Sequence, residues 1–172
     1  MRLVSQALIS AALLVAATAS DGAFAKTRVT TLTGVVTHVS DGDTLWVRST
    51  ADARQRKPVK VRLLGIDAPE RCQSGGREAT AALQTRVLHR QVIVRVVGKD
   101  IYDRWLGNVR LEGQDVGAWM VLEGHAWSHR RDGRADTYVA EEHEARMARR
   151  GVFGEPDAIE PRLFRQQHGP CD

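Results

Sequence analysis

Residues 31–47 read TLTGVVTHVSDGDTLWV, and their pattern decides the fold. β-Branched residues dominate on both sides of Ser40-Asp41-Gly42-Asp43, and that quartet has the composition of a turn. The stretch is therefore a hairpin, with one strand over 31–39 and its partner over 44–47. Residues 50–58 are polar and charged and form a loop. Residues 59–66, VKVRLLGI, alternate and then turn wholly apolar, as a central strand does, and Ala68-Pro69 stops it. A helix over 77–89 follows Ser74-Gly75-Gly76, with Ala79, Ala82, Leu83 and Val87 on one face. Two more strands are predicted over 91–97 and 105–111, around a charged turn. Asp115 caps a short helix over 116–123 that Gly124 ends, and a third helix runs over 138–150 to Gly151. From residue 155 the chain carries Pro156, Pro161 and Pro170 and reads as irregular. The order of these elements predicts a mainly β protein: a five-stranded OB-fold barrel plus three α-helices, one inserted after the third strand.

Composition sets the outer limits. The chain has 172 residues, 42% hydrophobic and 27% charged, which excludes disordered, collagen-like and low-complexity classes and fits one domain. No apolar run reaches the roughly 18 to 20 residues of a membrane-spanning helix. A net charge of +4 favours anionic partners such as nucleic acid or phosphate esters. All Lys and Arg residues but Lys26, Lys57, Lys60 and Lys99 are arginine, the better fork for phosphate oxygens.

Residues 1–25 have the layout of an export signal. Arg2 supplies the basic start, residues 7–19 (ALISAALLVAATA) the apolar stretch, and Ala23-Phe24-Ala25 the small residues before a cleavage point at Lys26. A second cleavage point follows Ala19. The folded domain is then residues 26–172, periplasmic or secreted. Cys72 and Cys171 lie in no CxxC pattern and near no histidine at ligand spacing. In an oxidising compartment such a pair is most simply a disulfide, the alternatives being free thiols or an intermolecular bridge.

Three charged clusters stand at turns and strand ends: Asp41-Gly42-Asp43-Thr44, Arg62 with Asp67-Ala68-Pro69-Glu70, and Asp100-Ile101-Tyr102-Asp103-Arg104. Singly, each reads as a hairpin turn or a solubilising strand end. Together they hold what phosphodiester hydrolysis needs: hard oxygen ligands for a cation, arginines for transition-state charge, and a carboxylate for the attacking water. The histidines fit no metal site as well. His125 and His129 stand at i, i+4 spacing, yet no cysteine or further histidine lies near. His38 reads as a surface residue, His89 as a helix end that needs no role beyond the helix dipole, and Trp46, Trp105 and Trp119 as core.

The joint pattern resembles the staphylococcal nuclease (thermonuclease) family. It is carried by GVVTHVSDGDTLWV at 34–47, VRLLGIDAPERCQ at 61–73 and DIYDRWLG at 100–107. Weaker agreement follows in LEGHAW at 122–127 and EARMARRGVF at 144–153. The resemblance implies a calcium ion held by Asp43, Asp67 and the carbonyl of Ala68, with Asp41 one layer behind. It makes Glu70 the carboxylate that orients or deprotonates water, and Arg62 and Arg104 the grips on the scissile phosphate. Tyr102 would bond the terminal phosphate of the nucleotide. The implied activity is calcium-dependent hydrolysis of DNA and RNA on the 5′ side of the phosphate, by a monomer with no membrane span. This sequence departs from the family at Ile101, where a lysine is usual, and at Asp103, where glycine is usual. The aromatic pair expected after Gly124 is replaced by HAWSHRRDGR at 125–134, in which Arg130 and Arg131 are candidate phosphate contacts. Two other functions compete. One is an OB barrel that binds nucleic acid without cutting it; the other is a calcium-binding envelope protein whose acids serve only stability.

Overall fold

The computed structural model describes residues 30–51, 57–131, 134–135, 137–169 and 171, and the side chains at 130, 131, 134 and 135 lie outside that description. The predicted export signal at 1–25 also lies outside it, as does most of the polar loop after residue 50.

The chain order is β1 (Thr30–Asp41), β2 (Thr44–Ser49), β3 (Val59–Leu63), β4 (Ile66–Asp67), α1 (Gly76–Val87), β5 (Gln91–Lys99), β6 (Trp105–Leu111), β7 (Gln114–Asp115), α2 (Val116–Leu122), β8 (Trp127–Ser128), β9 (Arg130–Arg131), β10 (Arg134–Ala135), α3 (Val139–Met147) and α4 (Pro161–His168). The main sheet runs β3-β2-β1-β5-β6-β7, and a parallel pairing of β3 with β6 closes it into the expected five-stranded barrel. Closure requires strands that coil. Register shifts in β1 after Val36 and Val39, and in β5 after Val96, supply the bends.

Alternation puts Leu32, Val36, Leu45, Val47, Val61, Val92, Val94 and Val109 inside the barrel, all buried. Helix α1 closes one end with Ala79, Leu83 and Val87; Ala82, expected on the same face, is only half-buried. Asp115 caps α2 as predicted, accepting from the Ala118 N–H at 3.1 Å. Trp105 and Trp119 pack against the core, whereas the Trp46 indole donates to Ser40 Oγ at 3.0 Å on the barrel wall.

The expectations for the third helix and for the tail are corrected. The third helix stops at Met147 rather than near residue 150, because Arg149 turns left-handed (φ 52°). The tail is not irregular throughout. Pro161 opens a fourth helix, α4, and Gly169 at φ 77° ends it. Proline at the first helical position and glycine beyond the last are ordinary helix boundaries. Among the described residues, no helix is long and apolar enough to cross a membrane.

Candidate active site

The β1–β2 turn and the segment after β3 meet at one end of the barrel. Gly42 makes that meeting possible: a Cβ there would lie 2.7 Å from the Ala68 Cβ and 2.9 Å from the Ala79 Cβ. Gly76 does the same for the next turn, since its Cβ would fall 1.9 Å from the Glu70 carbonyl oxygen. The Leu63 N–H donates to the Asp43 carbonyl at 2.8 Å, which locks the end of β3 to the hairpin.

Asp43 and Asp67 are each 6% exposed. Arg62 lies between them. Its Nη1 donates to Asp43 Oδ2, and its Nη2 lies 3.3 Å from Asp67 Oδ1. The Thr44 hydroxyl donates to Asp43 Oδ1 at 2.8 Å, and the Ala68 N–H approaches Oδ2 at 3.4 Å. Burial pushes the Asp43 pKa up, but Arg62 and these donors outweigh it and hold the group below the usual carboxylate range. Arg62 mirrors this: burial disfavours its charge, and the charges of Asp43 and Asp67 more than restore it. Among the described residues, no salt bridge reaches Asp41. Burial, then repulsion from Asp43, raises its pKa to about 6. Its Oδ1 accepts the Asp43 N–H at 3.0 Å and so shapes the turn.

Glu70 stands in a tight turn. The Gln73 N–H donates to the Glu70 carbonyl at 2.8 Å, and the Glu70 N–H donates to Gln73 Oε1 at 3.2 Å. Its carboxylate accepts from Arg165 Nη1 at 2.8 Å, and the same guanidinium forks onto Asp67 at 3.2 and 2.9 Å. Arg165 is the site residue that sequence reading missed. It lies in the tail read as irregular, and its signal was the Pro161 and Gly169 pair that bounds α4.

Arg104 sits across the β3–β6 seam, where Val61 faces Trp105. It is held by its own turn: Nε donates to Asp100 Oδ2 at 2.7 Å, and the guanidinium lies 5.4 Å from the Tyr102 ring centre. Burial works against the charge of Asp100, but Arg104 and the N–H groups of Arg104 and Tyr102 keep its pKa low. Tyr102 is 73% exposed. Asp103 adopts φ 60°, which accounts for glycine in the resembling sequences, and its carboxylate pairs with Lys99 away from Arg104. The structure thus brings Asp41, Asp43, Arg62, Asp67, Ala68 and Glu70 together, and sets Tyr102 and Arg104 in the adjacent turn. An open cavity of about 280 Å³ beside Arg62 is walled by Leu63, Ile66, Leu106, His129 and Thr137.

Cys72 and Cys171 form the expected disulfide, with Cα atoms 5.8 Å apart. Among the described residues, no three His, Cys, Asp or Glu side chains form a ready metal cage. Asp43 and Asp67 are compensated by Arg62 and Arg165 instead.

A closed OB-type barrel hosts many unrelated functions, so the fold with its buried carboxylates and arginines leaves the class open. Sequence comparison narrows it. The profile of the family described as staphylococcal nuclease homologues matches residues 60–155. The chain belongs to that family. It is 37% identical over 147 residues to Protein ParB of Escherichia coli, covering 79% of this chain and 80% of the relative. It is 34% identical to an uncharacterized endonuclease of Escherichia coli O157:H7, covering 78% and 85% of the two chains. A micrococcal nuclease of Shigella flexneri is 35% identical, over 77% and 80%.

Proposed function

We propose that this protein is an exported, calcium-dependent nuclease that hydrolyses phosphodiester bonds of DNA and RNA on the 5′ side of the phosphate. The supporting observation is the convergence of Asp43, Asp67, Glu70 and Arg62 at one barrel end, in a family whose relatives include a micrococcal nuclease and an endonuclease.

The donor set suits calcium. Asp43 and Asp67 offer hard carboxylate oxygens, and Ala68, whose N–H approaches Asp43 Oδ2, carries the carbonyl that the family resemblance adds to the set. No thiolate or imidazole belongs to the set, which disfavours zinc. When bound there, the ion would supply positive charge to polarise a phosphate oxygen. The protein side chains do the rest. Glu70 accepts a proton from the attacking water. Arg62 and Arg104 present planar pairs of donors to the phosphoryl oxygens, whose charge grows toward the transition state. The cavity beside Arg62 has room for the nucleoside portion, and Tyr102, exposed beside Arg104, is free to meet a neighbouring phosphate. Export agrees with the disulfide and with the signal layout at 1–25.

The test is direct. The purified protein is incubated with plasmid and with RNA, in calcium or in chelator. Fragmentation of both substrates in calcium alone is expected. Intact nucleic acid that shifts on a gel would identify a binding module, and calcium-dependent melting with neither effect a merely structural cation site.

A further inference from the structure

The described residues from Glu155 to Cys171 return to the barrel end. They form a strap that returns to the segment carrying Glu70. Ser74 Oγ donates to Glu155 Oε2 at 2.8 Å, and Gln73 Nε2 donates to the Ile159 carbonyl at 2.6 Å. Helix α4 follows, and beyond it the Cys72–Cys171 disulfide closes the strap two residues from Glu70. The strap is therefore fixed on both sides of α4, with Arg165 between the fixed points.

We infer that Arg165 is a positioning residue for Glu70, and that the disulfide-closed strap holds it there. Nη1 lies 2.8 Å from Glu70 Oε1, while Nη1 and Nη2 fork onto Asp67 at 3.2 and 2.9 Å. One planar guanidinium thus fixes the angle between two carboxylates that the fold gives different tasks. Glu70 is 27% exposed at its side chain, and its turn fixes only its backbone. Without Arg165, rotation about its side-chain bonds would let the carboxylate leave the position from which it meets water. The arm on Asp67 has a second consequence. A positive charge on Asp67 opposes a cation at the same carboxylate, so Arg165 improves the aim of Glu70 and weakens calcium binding. A residue that merely supported the fold would support both.

This inference rests on the nuclease reading, and the experiment keeps the two apart. Wild type, Arg165→Gln, Arg165→Lys and the exposed same-helix control Gln166→Ala are compared for kcat and KM. Calcium affinity is measured by calorimetry without nucleic acid. Arg165→Gln should lose roughly ten- to hundredfold in kcat with little change in KM. It should bind calcium about threefold tighter or more. Arg165→Lys should recover part of the kcat, because a single ammonium still reaches one carboxylate. Gln166→Ala should match wild type. Reducing the disulfide should lower kcat in wild type and add nothing in Arg165→Gln, since both act through the same contact. The inference is overturned if Arg165→Gln keeps its kcat, or loses calcium affinity along with it, or if reduction costs both proteins equally. Should Arg165→Gln fail to fold, Arg165→Lys and the reduced wild type decide. A wild type that cuts nothing sinks the nuclease reading, and calorimetry still judges the Arg165–Asp67 contact.

Discussion

Arg62 on β3 and Asp43 in the β1–β2 turn form an ion pair, and both are largely buried, with side chains 19% and 8% exposed. The pair explains why two carboxylates can sit side by side in the interior. A lone buried charge is costly, but a guanidinium shared by Asp43 and Asp67 removes most of that cost. Removing the arginine should therefore hurt the metal-free protein. In chelator, Arg62→Gln should lose about 3 kcal/mol of stability. Calcium should restore part of that loss, and Arg62→Lys should lose less. Equal melting temperatures for wild type and Arg62→Gln in chelator would contradict this.

Asp41 gives a prediction about pH. Its folded pKa is about 6 against an ordinary 3.8, so the folded state keeps a proton that the unfolded chain releases. Stability is then lost as pH rises from about 4 to about 6, by roughly 2 to 3 kcal/mol. Asp43 acts with the opposite sign: its stabilisation is present above the unfolded value and lost as pH falls through the lowered one. Asp41→Asn should flatten the fall above pH 4 and raise the melting temperature at pH 7 in chelator, and the amide oxygen can still accept the Asp43 N–H. An unchanged profile of melting temperature against pH would show that Asp41 carries no such burden.

The disulfide should be present in the exported protein. Cys72 and Cys171 are 99 residues apart, and closing a loop of that size contributes up to ~4 to 5 kcal/mol in the chain-entropy model. Reduction should lower the melting temperature, and alkylation without reductant should label neither cysteine. Two labelled thiols in non-reduced protein would refute the pairing in solution.

Processing is checked by N-terminal sequencing. Ala23-Phe24-Ala25 predicts that the exported protein begins at Lys26, with Ser20 as the second choice. Exported protein that begins at Met1 would contradict the assignment of residues 1–25.

The barrel was legible in the sequence because its signals are local. Alternating β-branched residues mark β1, β2 and β5, and the strand over 105–111 has the bounds predicted for it. The acids and arginines of the candidate site stand beside turn residues and within short motifs. What the sequence did not disclose is long-range. Arg165 lies 95 residues from Glu70, on a helix of eight residues with two prolines near it. Proline counted against helix there, although at the first helical position it favours one. The split of residues 59–66 into two strands was equally hidden. Gly65 takes φ 82° and redirects the chain, so that Ile66 and Asp67 pair with Ser128 and Trp127. That turn aims Asp67 at Arg62, and no periodicity reports it.

In the proposed mechanism Glu70 works on water beside a cation held by Asp43 and Asp67. The measurement closest to it is the single-turnover rate at which wild type and Glu70→Gln cut a single-stranded oligonucleotide in calcium. Wild type should cut, and Glu70→Gln should still bind the oligonucleotide while cutting about 10² to 10⁴ times more slowly. A wild type that binds without cutting, or a Glu70→Gln variant that cuts at the wild-type rate, would contradict the account.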